Sequence, residues 1–202
     1  MTPPTRASVQ HQRPSQAHVA GTPGAPARAS GLQWPLAVVS GAVIVALSAQ
    51  VAVPLPLSPV PLTLQGLAVV LVGGLFGAAA GAGAMVLYLV AGAFGAPVFA
   101  LGASGLPRLL GLTGGYLLAF PLAAIVTARL AVRGQLIRSI LAAAAGTLAI
   151  HLGGWAQLTL LTGNAERAVT IGVIPFLVPD GMKVLLAGII LWKGHHLLRP
   201  RA

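Results

Sequence analysis

Asp180 and Lys183 lie together in the apolar run 174–187, and Asp180 is one of only two acidic residues in the 202-residue chain. A spacing of three residues puts both side chains on one face of a helix, where opposite charges can pair. A charge at the centre of a membrane-spanning helix costs at least ~2.5–3.5 kcal/mol on insertion scales, so it is kept with a partner or a task. A carboxylate acceptor beside an ammonium donor could read a polar ligand.

Two further stretches carry polar chemistry. In Gly111-Leu112-Thr113-Gly114-Gly115-Tyr116, Thr113 can cap a helix whose first turn holds two glycines, leaving backbone N–H groups open to a ligand. The same glycines could instead mark a helix start packed tightly on a neighbour. Tyr116 adds a ring and a hydroxyl. In Pro59-Val60-Pro61-Leu62-Thr63-Leu64-Gln65, Thr63 is a second cap candidate. The Gln65 amide could read a cyclic amide or urea through one donor and one acceptor, or bond to a neighbouring helix. Arg108 could guide an anion or only hydrate its loop. His151 reads as a satisfied core histidine, Tyr88 as interfacial packing, and Trp155 and Trp192 as interface anchors.

Other chemistries find no support. The chain has no cysteine, hence no disulfide and no thiolate nucleophile or metal ligand. Glu166 reads as solvated in a loop and offers Asp180 no second carboxylate for acid–base work. Neither a hydrolase triad nor zinc-ligand spacing occurs, and no Gly-Lys-Ser/Thr phosphate loop is present. Neither a metal nor a cofactor is expected.

The elements that must hold these residues are membrane helices. The chain is 56% hydrophobic and 7% charged, with mean hydropathy +0.90, far from the quarter-charged mixture usual in soluble domains. Its 26 glycines suit close helix packing in lipid. A net charge of +10 could suggest nucleic acid, but the basic residues are spread between apolar spans without a basic–aromatic patch. Six spans are predicted, at 34–53, 64–76, 79–94, 114–130, 136–161 and 174–193, giving an all-α bundle of six transmembrane helices. The second and third are short enough to be one broken hairpin. Pro54, Pro56, Pro59 and Pro61 make the first connection extended. The connection 95–113, rich in Gly and Pro, reads as a structured cap.

Residues 1–33, rich in Pro, Ala, Gly and Ser, are expected to form a disordered tail ahead of a membrane domain at 34–198. Ala46-Leu47-Ser48-Ala49 resembles a signal-peptide cleavage site, yet the long preceding tail and the spans that follow favour a retained helix. With the N terminus in the cytoplasm, inner segments carry Arg6, Arg13, Arg28, Arg129, Arg133, Arg138, Lys193, Arg199 and Arg201, and outer segments only Arg108 and Arg167. That asymmetry predicts both termini inside, with a pocket near Asp180 opening outward.

In order along the chain, 59–65, then 92–99 leading into 111–116, then Pro175-Phe176 leading to Asp180 and Lys183, resemble the motifs of BioY, the biotin-binding S component of energy-coupling factor (ECF) vitamin transporters. The resemblance covers about 34–198. Leu112 stands where the family usually has Pro, and Pro179 where it has Gly; both touch local backbone shape. The resemblance implies biotin uptake across the plasma membrane, without enzymatic activity, through a pocket of Asp180, Lys183, Tyr116, Gly114, Gly115, Thr113, Gln65, Phe99 and Arg108. It implies Asp180 accepting from the urea N–H groups, Lys183 paired with the biotin carboxylate, and the 114–116 turn closing over the rings. The implied partners are a coupling transmembrane subunit and ATPases, with Ala42 and Ala46 offering a flat face on the first span unless they pack internally. A thiamin or riboflavin S component, an intramembrane enzyme and a purely structural membrane protein are the alternatives.

Overall fold

The computed structural model describes residues 32–132 and 134–197. The tail expected over 1–33 falls, up to residue 31, outside the described residues, as do Arg133, Arg199 and Arg201.

The first helix, α1, runs Gln33–Gln50. The proline-rich connection then folds as an antiparallel hairpin of β1 (Ala52–Leu55) and β2 (Ser58–Thr63), with Ala52 opposite Thr63 and Val53 opposite Leu62. The pairing is irregular between Val53 and Leu55, where Pro54 has no N–H to give a ladder. Extended backbone was expected here. The pairing was not, because prolines argue against a ladder except in edge strands, and a two-stranded ribbon is all edge.

Helices α2 (Gln65–Phe76) and α3 (Ala78–Ala93) are separate elements joined at Gly77, whose φ of 86° only glycine adopts without strain. At ~1.5 Å per residue α2 is about 18 Å long, shorter than the hydrocarbon core of a bilayer. The connection that follows is structured, with a 3-10 turn at Ala100–Gly102 and a short helix α4 (Leu106–Leu110). The fourth predicted span divides into α5 (Gly114–Leu118) and α6 (Phe120–Leu130). Pro121 explains the break, since it cannot donate the helical bond and its ring crowds the preceding turn.

Helix α7 (Leu136–Thr162) is the longest. The segment after it, expected as solvated loop, forms α8 (Ala165–Gly172), whose cap Asn164 accepts at Oδ1 from the Arg167 N–H at 2.9 Å. A 3-10 turn at Ile174–Phe176 leads into α9 (Leu177–Leu197). By length and composition α1, α7 and the run Ala165–Gly194 can each cross a membrane, while α2, α3 and α6 are shorter apolar helices. The six expected spans are thus recovered, four as helices of matching extent and two with altered ends or a break.

Tyr88 and Phe99, both fully buried, lie at the centre of the core with Val45, Val69, Met85 and Leu158. Tyr88 is therefore a core residue and not an interfacial one. The small face of α1 turns inward: Ala42 is buried in this core and Ala46 packs on it, so both serve internal packing.

Candidate functional site

At the hairpin end of the bundle lies an open cavity, with about 630 Å³ of empty space counted out through its mouth into solvent. Val60, Pro61 and Thr63 of β2, Gln65 and Gly66 of α2, and Phe99, Ala100 and Arg108 of the 94–113 connection line one part. Thr113, Tyr116, Leu117 and Phe120 of the α5–α6 region, Ile150 and His151 of α7, and Phe176, Asp180 and Lys183 at the start of α9 line the rest.

The charged wall is built where α7 meets the first turns of α9. Lys183 Nζ donates to Asp180 Oδ1 at 2.7 Å and to the Thr63 carbonyl at 2.7 Å, tying α9 to the end of β2. The other carboxylate oxygen, Oδ2, lies 2.9 Å from His151 Nε2. An ionised carboxylate only accepts, so the ring proton sits on Nε2, and Nδ1 is left buried without a partner. The side chains of His151, Lys183 and Asp180 retain 12%, 15% and 17% of their exposure, so the cluster is shielded but open to the cavity. Asp180 lies in the first turn of α9, where the free N–H groups and the helix dipole favour negative charge.

The part of the lining that comes from the 94–113 connection and α5 is differently made. Arg108 is half-buried and lines the cavity, and among the described residues its guanidinium forms no ion pair or hydrogen bond. Thr113 also lines it, with a buried hydroxyl that has no partner. The capping bond expected of Thr113 is absent, because its backbone is already helical (φ −102°, ψ −7°), whereas a capping side chain needs an extended residue. The Tyr116 hydroxyl donates to the Gly172 carbonyl at 2.6 Å, and its ring stands edge-on to His151 with centroids 6.3 Å apart.

Gly114 and Gly115 are not part of the lining. A methyl on Gly115 would collide with the Gly153 carbonyl, and one on Gly114 with the Leu109 carbonyl and the Gln157 amide, so Gly115 lets α5 lie directly on α7 and Gly114 lets it lie against the end of α4. Gln65 is nearly fully buried; its amide donates to the Tyr88 hydroxyl at 2.6 Å and accepts from Thr63 Oγ1 at 3.3 Å. Tyr88 passes the bond on to the Val98 carbonyl at 3.2 Å, so Gln65 also braces the 94–113 connection. Phe99 faces the cavity and packs edge-on against Tyr88 at 5.5 Å.

Asp180, Lys183, Tyr116, Thr113, Gln65, Phe99 and Arg108 thus come together around one cavity, and the two glycines stand behind it. His151 is the polar residue that sequence reasoning set aside. Its signal was faint: a lone histidine inside a mostly apolar helix, with its partner 29 residues away. Chemically the arrangement offers paired donors and acceptors at one wall, an unpaired guanidinium and hydroxyl at the other, and aromatic rings between. Among the described residues no group of three or more His, Asp or Glu could hold a metal ion.

Residues 25–200 match the BioY family model. The probable biotin transporter BioY of Pyrococcus horikoshii is 39% identical over 134 residues, covering 66% of this chain and 80% of that protein. The biotin transporter BioY of Thermotoga maritima is 36% identical over 137 residues, 67% of this chain and 81% of the relative. That of Rhizobium etli is 30% identical over 180 residues, 83% and 96% of the two chains. Among solved structures, the S-component for biotin from an ECF-type ABC transporter superposes with a TM-score of 0.74 at 18% identity, over 84% of this chain and 92% of that one, which shows a shared fold.

Proposed function

The chain belongs to the BioY family, and on that premise we propose that it binds biotin in this cavity and serves as the substrate-binding S component of an ECF-type transporter. The observation that carries the reading is the Asp180–Lys183–His151 cluster, a shielded group of charged and polar side chains opening into a cavity otherwise lined largely by apolar and aromatic residues. Biotin has a urea ring at one end and a carboxylate at the other, with apolar rings and a methylene chain between. Asp180 accepts from the urea N–H groups. Lys183, in direct contact with Asp180 at 2.7 Å, addresses the same end of the ligand and donates to the urea oxygen. The resemblance gave Lys183 the carboxylate; we assign Lys183 to the urea end instead, since its contact with Asp180 sets both groups at one place in the cavity. Arg108, unpaired on the other wall, takes the carboxylate; Phe99, Phe120 and Phe176 enclose the middle.

The chain contributes binding, and ATP-driven transport comes from a coupling membrane subunit and ATPases. The protein is a multi-pass membrane protein with both termini cytoplasmic and the cavity facing outward, a placement supported by Arg129, Arg138 and Lys193 at the helix ends away from the cavity and by the excess of basic residues in the inner segments of the sequence. Cysteines placed at Ser104 and Gln135 test it, since the native chain has none: the first should react from outside, the second only after the membrane is opened, and the reverse pattern would refute the orientation.

Calorimetry of the purified protein against a panel of vitamins tests the ligand. Biotin should bind tightly without ATP. Heat for thiamin or riboflavin and none for biotin would move the chain to another S-component specificity.

A further inference from the structure

The Gln157 side chain holds a stretch of backbone that the cavity needs. Its amide nitrogen donates to the Leu109 carbonyl at 3.0 Å and to the Gly111 carbonyl at 2.7 Å, so both N–H groups are used. Both partners are carbonyls, so the amide nitrogen must face them. These carbonyls lie at the C-terminal end of α4, where the last C=O groups of any helix lack intrahelical donors. Gln157 supplies a donor from α7 to each, the Gly111 carbonyl also accepting from the Gly114 N–H at 3.0 Å.

Helix α4 is tied to α7 by the Gln157 side chain, besides being held by the Leu109 side chain in the core and by the turn into α5, where the Gly114 N–H meets the Gly111 carbonyl. Of its five residues only Leu109 is buried, and Leu106 and Leu110 are 59% and 71% exposed. Its N-terminal side is tied down by the Gly105 N–H bonded to the Gly92 carbonyl at 2.7 Å. Between this tie and the Gln157 clamp sits Arg108, and just beyond the clamp sits Thr113. Gln157 does not itself line the cavity.

We infer that Gln157 is a positioning residue for the anion-binding end of the cavity: by clamping the end of α4 to α7 it holds the Arg108 guanidinium where a ligand carboxylate can meet it. The inference rests on the proposed pairing of Arg108 with the biotin carboxylate. Without the clamp, α4 can drift and the guanidinium loses its fixed place, while the urea-reading cluster on α7 and α9 stays intact.

The test compares affinity for biotin with affinity for biotin amide, which lacks the negative charge, in purified full-length protein. The variants are Gln157→Met, which keeps the bulk but neither donor, Gln157→Glu, which sets an acceptor against the two carbonyls, and Arg108→Ala. In the parent, biotin should be preferred over its amide, and Arg108→Ala should abolish that preference. Gln157→Met should cut the preference by roughly tenfold, the order of one residue-to-residue coupling, with amide affinity little changed. Gln157→Glu should do so at least as strongly, and adding Gln157→Met to Arg108→Ala should cost biotin nothing more. If Arg108→Ala loses the preference but both Gln157 variants keep it, the clamp has no role in recognition. If either Gln157 variant loses biotin and the amide alike, Gln157 is a fold residue and the inference falls. If Arg108→Ala keeps the preference, the carboxylate assignment fails instead.

Discussion

The two polar walls of the cavity solve opposite problems. On the α7–α9 wall each charge is already answered: Asp180 by Lys183 and His151, and Lys183 also by the Thr63 carbonyl. On the α4–α5 wall the reactive groups are unspent, with Arg108 unpaired and the Thr113 hydroxyl orphaned, while the backbone behind them is pinned by Gln157. The first wall is preorganised by its own side chains, so a ligand adds bonds to oxygens and hydrogens whose directions are already set. The second is preorganised by backbone anchoring and keeps its side chains free for the ligand. Removing a residue from the first wall therefore strands a partner; removing one from the second strands nothing in the free protein.

The largest effects are expected on the charged wall. Asp180→Asn replaces an acceptor with an amide between two donors, and Lys183→Ala leaves Asp180 with His151 alone. Losing one member of a desolvated pair costs ~2–5 kcal/mol of binding, or roughly 30-fold to several thousand-fold in affinity. Were the pair only structural, each single change would lower stability and the double change would restore it without touching biotin binding. A double variant that binds biotin like the parent by calorimetry would remove this wall from the site.

His151→Phe sharpens the contrast within the same wall. Phenylalanine keeps a ring beside Tyr116 and Phe176, which flank His151 at centroid distances of 6.3 and 6.2 Å, and removes the donor to Asp180. Hydrogen bonds to charged groups contribute ~1.5–3 kcal/mol, so biotin affinity should fall roughly 10- to 100-fold. Undiminished affinity in a titration would show that Lys183 alone orients the carboxylate.

Legibility in the sequence differed between these walls for physical reasons. Asp180 and Lys183 share one helical face, so their pairing follows from spacing alone, and the six apolar runs follow from the length a bilayer demands. His151 and Gln157 act across helices, on partners 29 and 46–48 residues away, and the rotation of α7 against α9 and α5 cannot be read from one sequence. Thr113 looked like a cap because its type and position suit one. The short tight bend from α4 into α5 gives it helical backbone instead, which frees its hydroxyl for the cavity. Gly114 and Gly115 admitted two readings in sequence, ligand approach or helix packing, and the nearness of the α4 backbone to the first and of the α7 backbone to the second places them in the packing.

The smallest effect is the most discriminating, because it is expected to move stability and binding in opposite directions. An unpaired buried hydroxyl costs ~1–3 kcal/mol, a cost that a side chain of the same shape without the oxygen avoids. Among the described residues Thr113, Ser139 and Thr159 each carry one, but only Thr113 of the three lines the cavity, and Ser139 is fully buried near the other end of α7. Thr113→Val and Ser139→Ala should therefore both stabilise the ligand-free protein in thermal unfolding. Only Thr113→Val should weaken biotin binding, by roughly two- to tenfold, the worth of one neutral hydrogen bond. The opposition matters more than either magnitude: a side chain kept at a cost to the empty protein and repaid by ligand is the behaviour the open wall requires. If Thr113→Val stabilises the protein and binds biotin as well as the parent does, its hydroxyl is no different from that of Ser139, and the open wall reduces to Arg108.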